Sequence, residues 1–104
     1  MTESNLEFIA KLEGIIRSRL ENPVDDSYTA QLAAAGTKRI AQKVGEEGIE
    51  LALASVSGDR DEIVNEAADL VYHVIVLLSN ERLTLADVAA RLESRHSDRP
   101  VRSD

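Results

Sequence analysis

Two acidic patterns lie close together in the chain: Glu46, Glu47 and Glu50 in "VGEEGIELALA", and Glu66 and Asp69 in "VNEAADLVYH". Helical spacing of three or four residues puts such carboxylates on one side, a turn apart. Set among residues suited to burial, they must either reach water or face one another across a groove. In the groove, Glu47, Glu50, Glu66 and Asp69 repel, which raises carboxylate pKa values and costs stability. A divalent cation removes the conflict, and donors that are all oxygen favour a hard ion, Mg²⁺ or Mn²⁺, over zinc. Magnesium keeps positions for water and phosphate oxygens, so an acidic pocket of this kind suits a nucleotide. The plainer reading is a solvated acidic face, on which Lys43 and Glu47 at i,i+4 contribute only about 0.3 to 0.5 kcal/mol.

Both patterns need helices to carry them. A chain of 104 residues makes one domain, and with 43% apolar but only 3% aromatic residues its core must come from Leu, Ile, Val and Ala. That composition predicts an all-α bundle of four to five helices in a single domain over residues 1–96, with 97–104 a flexible polar tail. Ser4 with Glu7 opens a helix over residues 6–20, and "ENPVDDS" ends it. A short helix follows, capped by Ser27 or Asp26 and stopped by Gly36. Thr37 is the expected N-cap of a helix over 37–57, ended by "SGD". Asp59 with Glu62 opens a long helix to Asn80, and Thr84 with Asp87 a last one to Arg95. Gly45 and Gly48 each weaken their helix by up to about 1 kcal/mol, which points to close approach by a neighbour.

At about 100° per residue, Ile40, Ala41, Val44, Leu51 and Ala52 share one broad face of the 37–57 helix. Glu47 lies at its edge, and Arg39 and Lys43 precede the acids by a turn in the same sector. On the next helix Glu62, Glu66, Asp69 and His73 form a narrow stripe on a cylinder otherwise covered by Leu70, Val71, Val74, Ile75, Leu77 and Leu78. Glu62 is accounted for as a cap residue. His73 reads either as a core histidine hydrogen-bonded within the groove or as a ligand contact. A cylinder this apolar needs cover on several sides, and in so short a chain the expected cover is a second copy, giving a homodimer.

The net charge of −7 excludes a broad electrostatic grip on nucleic acid or anionic membrane. Without cysteine there is no disulfide framework and no thiolate metal site, which fits a reducing compartment, by default the cytoplasm. The N-terminus lacks a signal pattern, and the run "VYHVIVLL" is too short to span a bilayer, so no membrane partner is expected.

At these residues the chain resembles the phosphoribosyl-ATP pyrophosphohydrolases of histidine biosynthesis, within the all-α nucleotide pyrophosphohydrolase superfamily typified by MazG. The resemblance covers residues 6–96 and rests on "SYTAQL", "RIAQKVGEEGIEL", "GDRDEIVNEAADLVYHVIVLL" and "LADVAARLESRH". The superfamily signature, E-x-x-E followed on the next helix by E-x-x-D, is matched by Glu47, Glu50, Glu66 and Asp69. The resemblance implies Mg²⁺-dependent hydrolysis of the α–β phosphoanhydride of N1-(5-phosphoribosyl)-ATP to phosphoribosyl-AMP and pyrophosphate. It implies metal binding by those four acids and a catalytic role for Glu46 in orienting or deprotonating the attacking water. Lys43 and Arg39 become phosphate contacts and Tyr28 a wall or hydrogen-bond partner for the substrate, and His73 is counted with them as a substrate-binding candidate. The bland counterparts are salt bridges for the cations and a core anchor for Tyr28. Gly48 and Gln31 depart from the pattern, where a small helix former and a basic residue are expected. Some relatives are fused to a phosphoribosyl-AMP cyclohydrolase, and the expectation here is a separate cyclohydrolase for the next step. Two alternatives stand beside this reading: a housekeeping NTP or dNTP pyrophosphohydrolase with the same acids, and a non-catalytic helical dimerisation module.

Overall fold

The structure, a computed structural model, describes residues 5–22 and 27–97. Helices α1 (Leu6–Glu21), α2 (Tyr28–Ala35), α3 (Thr37–Ser57), α4 (Arg60–Asn80) and α5 (Leu85–Arg95) follow one another, with no strand among the described residues. The all-α expectation holds.

Local chemistry explains most helix ends. Ser27 caps α2, its Oγ accepting from the Ala30 N–H at 3.0 Å. At α4, Asp59 Oδ1 accepts from the N–H groups of Asp61 and Glu62 at 3.1 and 3.2 Å. The box at α5 is reciprocal: Thr84 Oγ1 accepts from Asp87 N–H at 3.1 Å and Asp87 Oδ2 from Thr84 N–H at 2.9 Å. Two expected caps, Ser4 and Asp26, lie outside the described residues. Thr37 is not a cap. Gly36 alone separates α2 from α3, at φ 98°, a conformation that disfavours any side chain, so the glycine takes the junction and Thr37 becomes the first helical residue. Its Oγ1 instead accepts from Asn80 Nδ2 at 3.1 Å, tying the start of α3 to the end of α4.

The core joins four helices through Ile16 of α1, Leu32 of α2, Ile40 of α3, and Ile75 and Val76 of α4, each at most 4% exposed. Burying each such side chain stabilises the fold by about 1.5 to 3 kcal/mol. α3 and α4, joined only by Gly58 and Asp59, form a hairpin that α1 packs against on the α4 side, while α2 contacts both α1 and α3. Gly58 closes α3 in the left-handed conformation, φ 82°. At the far end the Leu85 N–H donates to Glu13 Oε2 at 2.8 Å, and Leu85 packs onto the core.

Pairing with α4 covers only part of α3. Of the broad face that Ile40, Ala41, Val44, Leu51 and Ala52 share, Ala41 and Ala52 are exposed, and Ala54 is buried. A Cβ built on Gly45 or Gly48 would meet nothing within 4 Å, so among the described residues none makes the close approach those glycines suggested. Ile49, Leu53 and Val56 on α3, and Val64 and Val71 on α4, are left exposed.

Candidate functional site

The cleft between α3 and α4 is where the acids meet. Glu47 from α3 and Glu66 and Asp69 from α4 each offer a carboxylate oxygen within 4.8 Å of the others, a group able to hold a metal ion. Glu50, expected in the same set, stands outside that close group, but its charge acts on it. Burial holds the Glu66 carboxyl above its ordinary range, reinforced by the negative charges of Asp69, Glu50, Glu47 and Glu62. The donors are all carboxylate oxygens, which suits a hard dication.

Lys43, one turn before Glu47, places its Nζ 3.3 Å from Glu47 and 3.7 Å from Glu46. Partial burial opposes its charge, yet the hydrogen bond to Glu47 and the fields of Tyr28, Glu47 and Glu46 outweigh burial and raise its pKa. Glu46 is not one of the three-acid group; it is exposed and accepts from Gln42 Nε2 at 2.9 Å. Arg39 is exposed and takes part in none of the ion pairs among the described residues.

An aromatic corner adjoins the acids. His73, 6% exposed, contacts the Asp69 backbone carbonyl through Nδ1 at 2.7 Å and the Tyr28 hydroxyl through Nε2 at 2.8 Å. The Tyr28 ring stacks on Tyr72 at 6.1 Å and 28°, and meets the His73 ring edge-on at 5.6 Å and 85°. Tyr72 in turn hydrogen-bonds buried Thr29. Thr29, Tyr72 and Gln42 were not singled out by sequence reasoning. The adjacent placement of Tyr28 and Thr29 at the start of α2, and of Tyr72 and His73 on α4, was the available signal.

A separate cavity of about 630 Å³ lies at the C-terminal end of α4, lined by residues that include Arg17, Arg82 and Thr84. Glu21 lines it too, but none of Glu46, Glu47, Glu50, Glu66 and Asp69 does. Arg82 lies beside it at φ 62°, just past the helix end. Its N–H bonds to Ser79 O at 3.0 Å and that of Leu83 to Leu78 O at 2.8 Å, the pairing by which helices commonly close, with arginine where glycine is usual.

No described helix is long and apolar enough to cross a membrane. Residues 9–96 match the family model described as phosphoribosyl-ATP pyrophosphohydrolase. The histidine biosynthesis bifunctional protein HisIE of Photobacterium profundum is 53% identical over 92 residues, 88% of this chain and 44% of that protein. The HisIE proteins of Shewanella oneidensis and Yersinia pestis are 54% and 52% identical over 86% and 89% of this chain, and over 42% and 46% of their own lengths. The chain thus spans a little under half the length of these curated relatives. With the family pattern running through both acid-bearing helices and about half of the aligned residues identical to such proteins, the chain belongs to the phosphoribosyl-ATP pyrophosphohydrolase family.

Proposed function

We propose that this chain hydrolyses the α–β phosphoanhydride of N1-(5-phosphoribosyl)-ATP, releasing pyrophosphate and phosphoribosyl-AMP, as a step of histidine biosynthesis. The observation that carries the reading is the convergence of Glu47, Glu66 and Asp69 within 4.8 Å, from two adjacent helices, in a chain of this family.

Glu47, Glu66 and Asp69 would hold Mg²⁺, or Mn²⁺ in its place, and Glu50 completes the set by a side-chain rotation toward the cleft. When bound, the ion neutralises charge on phosphate oxygens and acidifies water. Lys43, already at the cleft, gives up part of its pairing with Glu46 and Glu47 to meet phosphate. Arg39, a turn earlier and in no ion pair among the described residues, reaches the more distal phosphate oxygens. Glu46, relieved of Lys43, orients the attacking water and accepts its proton, a contribution on the order of 10²- to 10⁴-fold.

The exposed aliphatic residues of α3 and α4 support a homodimer built on the hairpin. Ile49, Leu53 and Val56 follow one stripe of α3 and are 61% to 83% exposed. A second copy laid against this stripe would bring the neighbour that Gly45 and Gly48 admit.

Pyrophosphate release from phosphoribosyl-ATP, compared with release from dUTP and dCTP and repeated without Mg²⁺, tests the reading. We expect preference for phosphoribosyl-ATP and loss of turnover when the metal is chelated. Preference for a plain nucleotide would transfer the site to a housekeeping role, and no hydrolysis of any would remove the enzymatic reading.

A further inference from the structure

The hydrogen bonds around His73 fix what Tyr28 can offer a ligand. A backbone carbonyl only accepts, so the 2.7 Å contact with Asp69 O places a hydrogen on His73 Nδ1. In the neutral ring Nε2 is then a bare lone pair, and the 2.8 Å contact with Tyr28 requires the phenol to donate there. Tyrosine has one such hydrogen. Its oxygen is left with lone pairs alone for anything that enters the cleft. The ring cannot readily turn away, because Tyr72 stacks on it at 6.1 Å and His73 stands edge-on at 5.6 Å. Yet Tyr28 is 44% exposed, and through His73 its hydroxyl is tied to the helix turn that carries Asp69. Lys43, the cation of the adjoining cleft, is held by Glu46 and Glu47 at 3.7 and 3.3 Å.

We propose that Tyr28 is a specificity-determining acceptor, oriented by the positioning residue His73, that takes a hydrogen bond from a hydroxyl or N–H on the ribose or base of the nucleotide. An ionised phosphate oxygen also presents only lone pairs, so Tyr28 discriminates against phosphate at its position and directs the polyphosphate toward Lys43 and the acids. The inference rests on the nucleotide reading above and sharpens it: the aromatic corner reads the nucleoside part, the α3–α4 cleft the phosphates.

Two measurements on the intact chain test it, neither requiring turnover. Long-range ¹H–¹⁵N correlation spectra report which His73 nitrogen carries hydrogen; protonation at Nδ1 alone is expected, and hydrogen on Nε2 overturns the proposal. Titration calorimetry with phosphoribosyl-AMP, which keeps both riboses and the base but lacks the leaving pyrophosphate, reads the ligand side. Tyr28→Phe should raise its Kd by roughly three- to tenfold, the effect of one neutral hydrogen bond. The same variant should leave the Kd for inorganic pyrophosphate with Mg²⁺ unchanged. His73→Leu should raise the Kd for phosphoribosyl-AMP, and His73→Gln, whose amide oxygen can accept from the phenol, should restore it. The 2′- and 3′-deoxy analogues of each of the two riboses locate the donor. An analogue that binds Tyr28→Phe and wild type alike has lost it, whereas a penalty persisting across all of them places the donor on the base. A Tyr28→Phe Kd equal to that of wild type, or a loss confined to pyrophosphate, overturns the proposal. Failure of phosphoribosyl-ATP hydrolysis with these binding results intact would instead refute the reaction assigned above.

Discussion

The α3–α4 hairpin leaves two faces unsettled in a single chain, and they differ in what would settle them. On one, Glu47, Glu66 and Asp69 crowd within 4.8 Å, and the Glu66 carboxyl is held above its ordinary range. On the other, Ile49, Leu53, Val56, Val64 and Val71 are exposed side chains that would bury themselves if they could. The first is a concentrated problem of charge that one small ion can relieve. The second is spread over several turns of two helices, and only a surface of comparable extent relieves it. Acids and aliphatics alternate along α3, and on the proposed reading each set would take a different occupant.

The two faces should respond to different perturbations. The largest effect is expected from Glu66→Gln or Asp69→Asn, which removes one charged oxygen ligand while keeping the side chain's shape. Pyrophosphate release should fall by at least about a hundredfold, more than is usual for groups that merely support a metal ligand, with the far-ultraviolet circular dichroism unchanged. Full turnover in either variant would break the assignment of the acidic face. Leu53→Asp should act on the other face, raising the dimer dissociation constant by more than about tenfold as a carboxylate is buried without a partner. Sedimentation velocity checks this, and an unchanged profile would mean that the stripe is not the interface.

A smaller effect follows from the raised pKa of Glu66. The folded state holds this proton more tightly than the unfolded chain does, so its penalty is present above the folded pKa and is relieved as pH falls toward the ordinary value of 4.5. In the metal-free protein, Glu66→Gln should therefore raise Tm by no more than a few °C at pH 8. The difference should shrink toward pH 5, as thermal scans across that range would show. A variant that stabilises the empty fold while abolishing turnover would separate the acidic face from the aliphatic one most cleanly.

Much of this was legible along the chain because its causes are local. Capping is a contact over two or three residues, so Ser27, Asp59 and Thr84 declared their helices. Thr37 misled because a glycine at φ 98° can join two helices with no cap between them. The meeting of Glu47 with Glu66 and Asp69 followed from spacing once α3 and α4 paired, but the standing-off of Glu50 depends on side-chain rotation that periodicity does not encode. Ala41, Ala52 and Ala54 show the same boundary: spacing defines the faces of a helix, and only its neighbours decide which face is covered. The pairing of Tyr28 with His73 joins residues 45 positions apart, beyond any local signal.

The central claim is that α3 and α4 together present a site for a hard dication. Electron paramagnetic resonance of Mn²⁺ titrated with the protein tests it directly, since the sharp signal of the free ion is lost on binding. Saturable loss of that signal is expected with wild type, reversed by excess Mg²⁺ and absent in Glu66→Gln and Asp69→Asn. Mn²⁺ that stays free with wild type, or that binds those variants equally well, would contradict it.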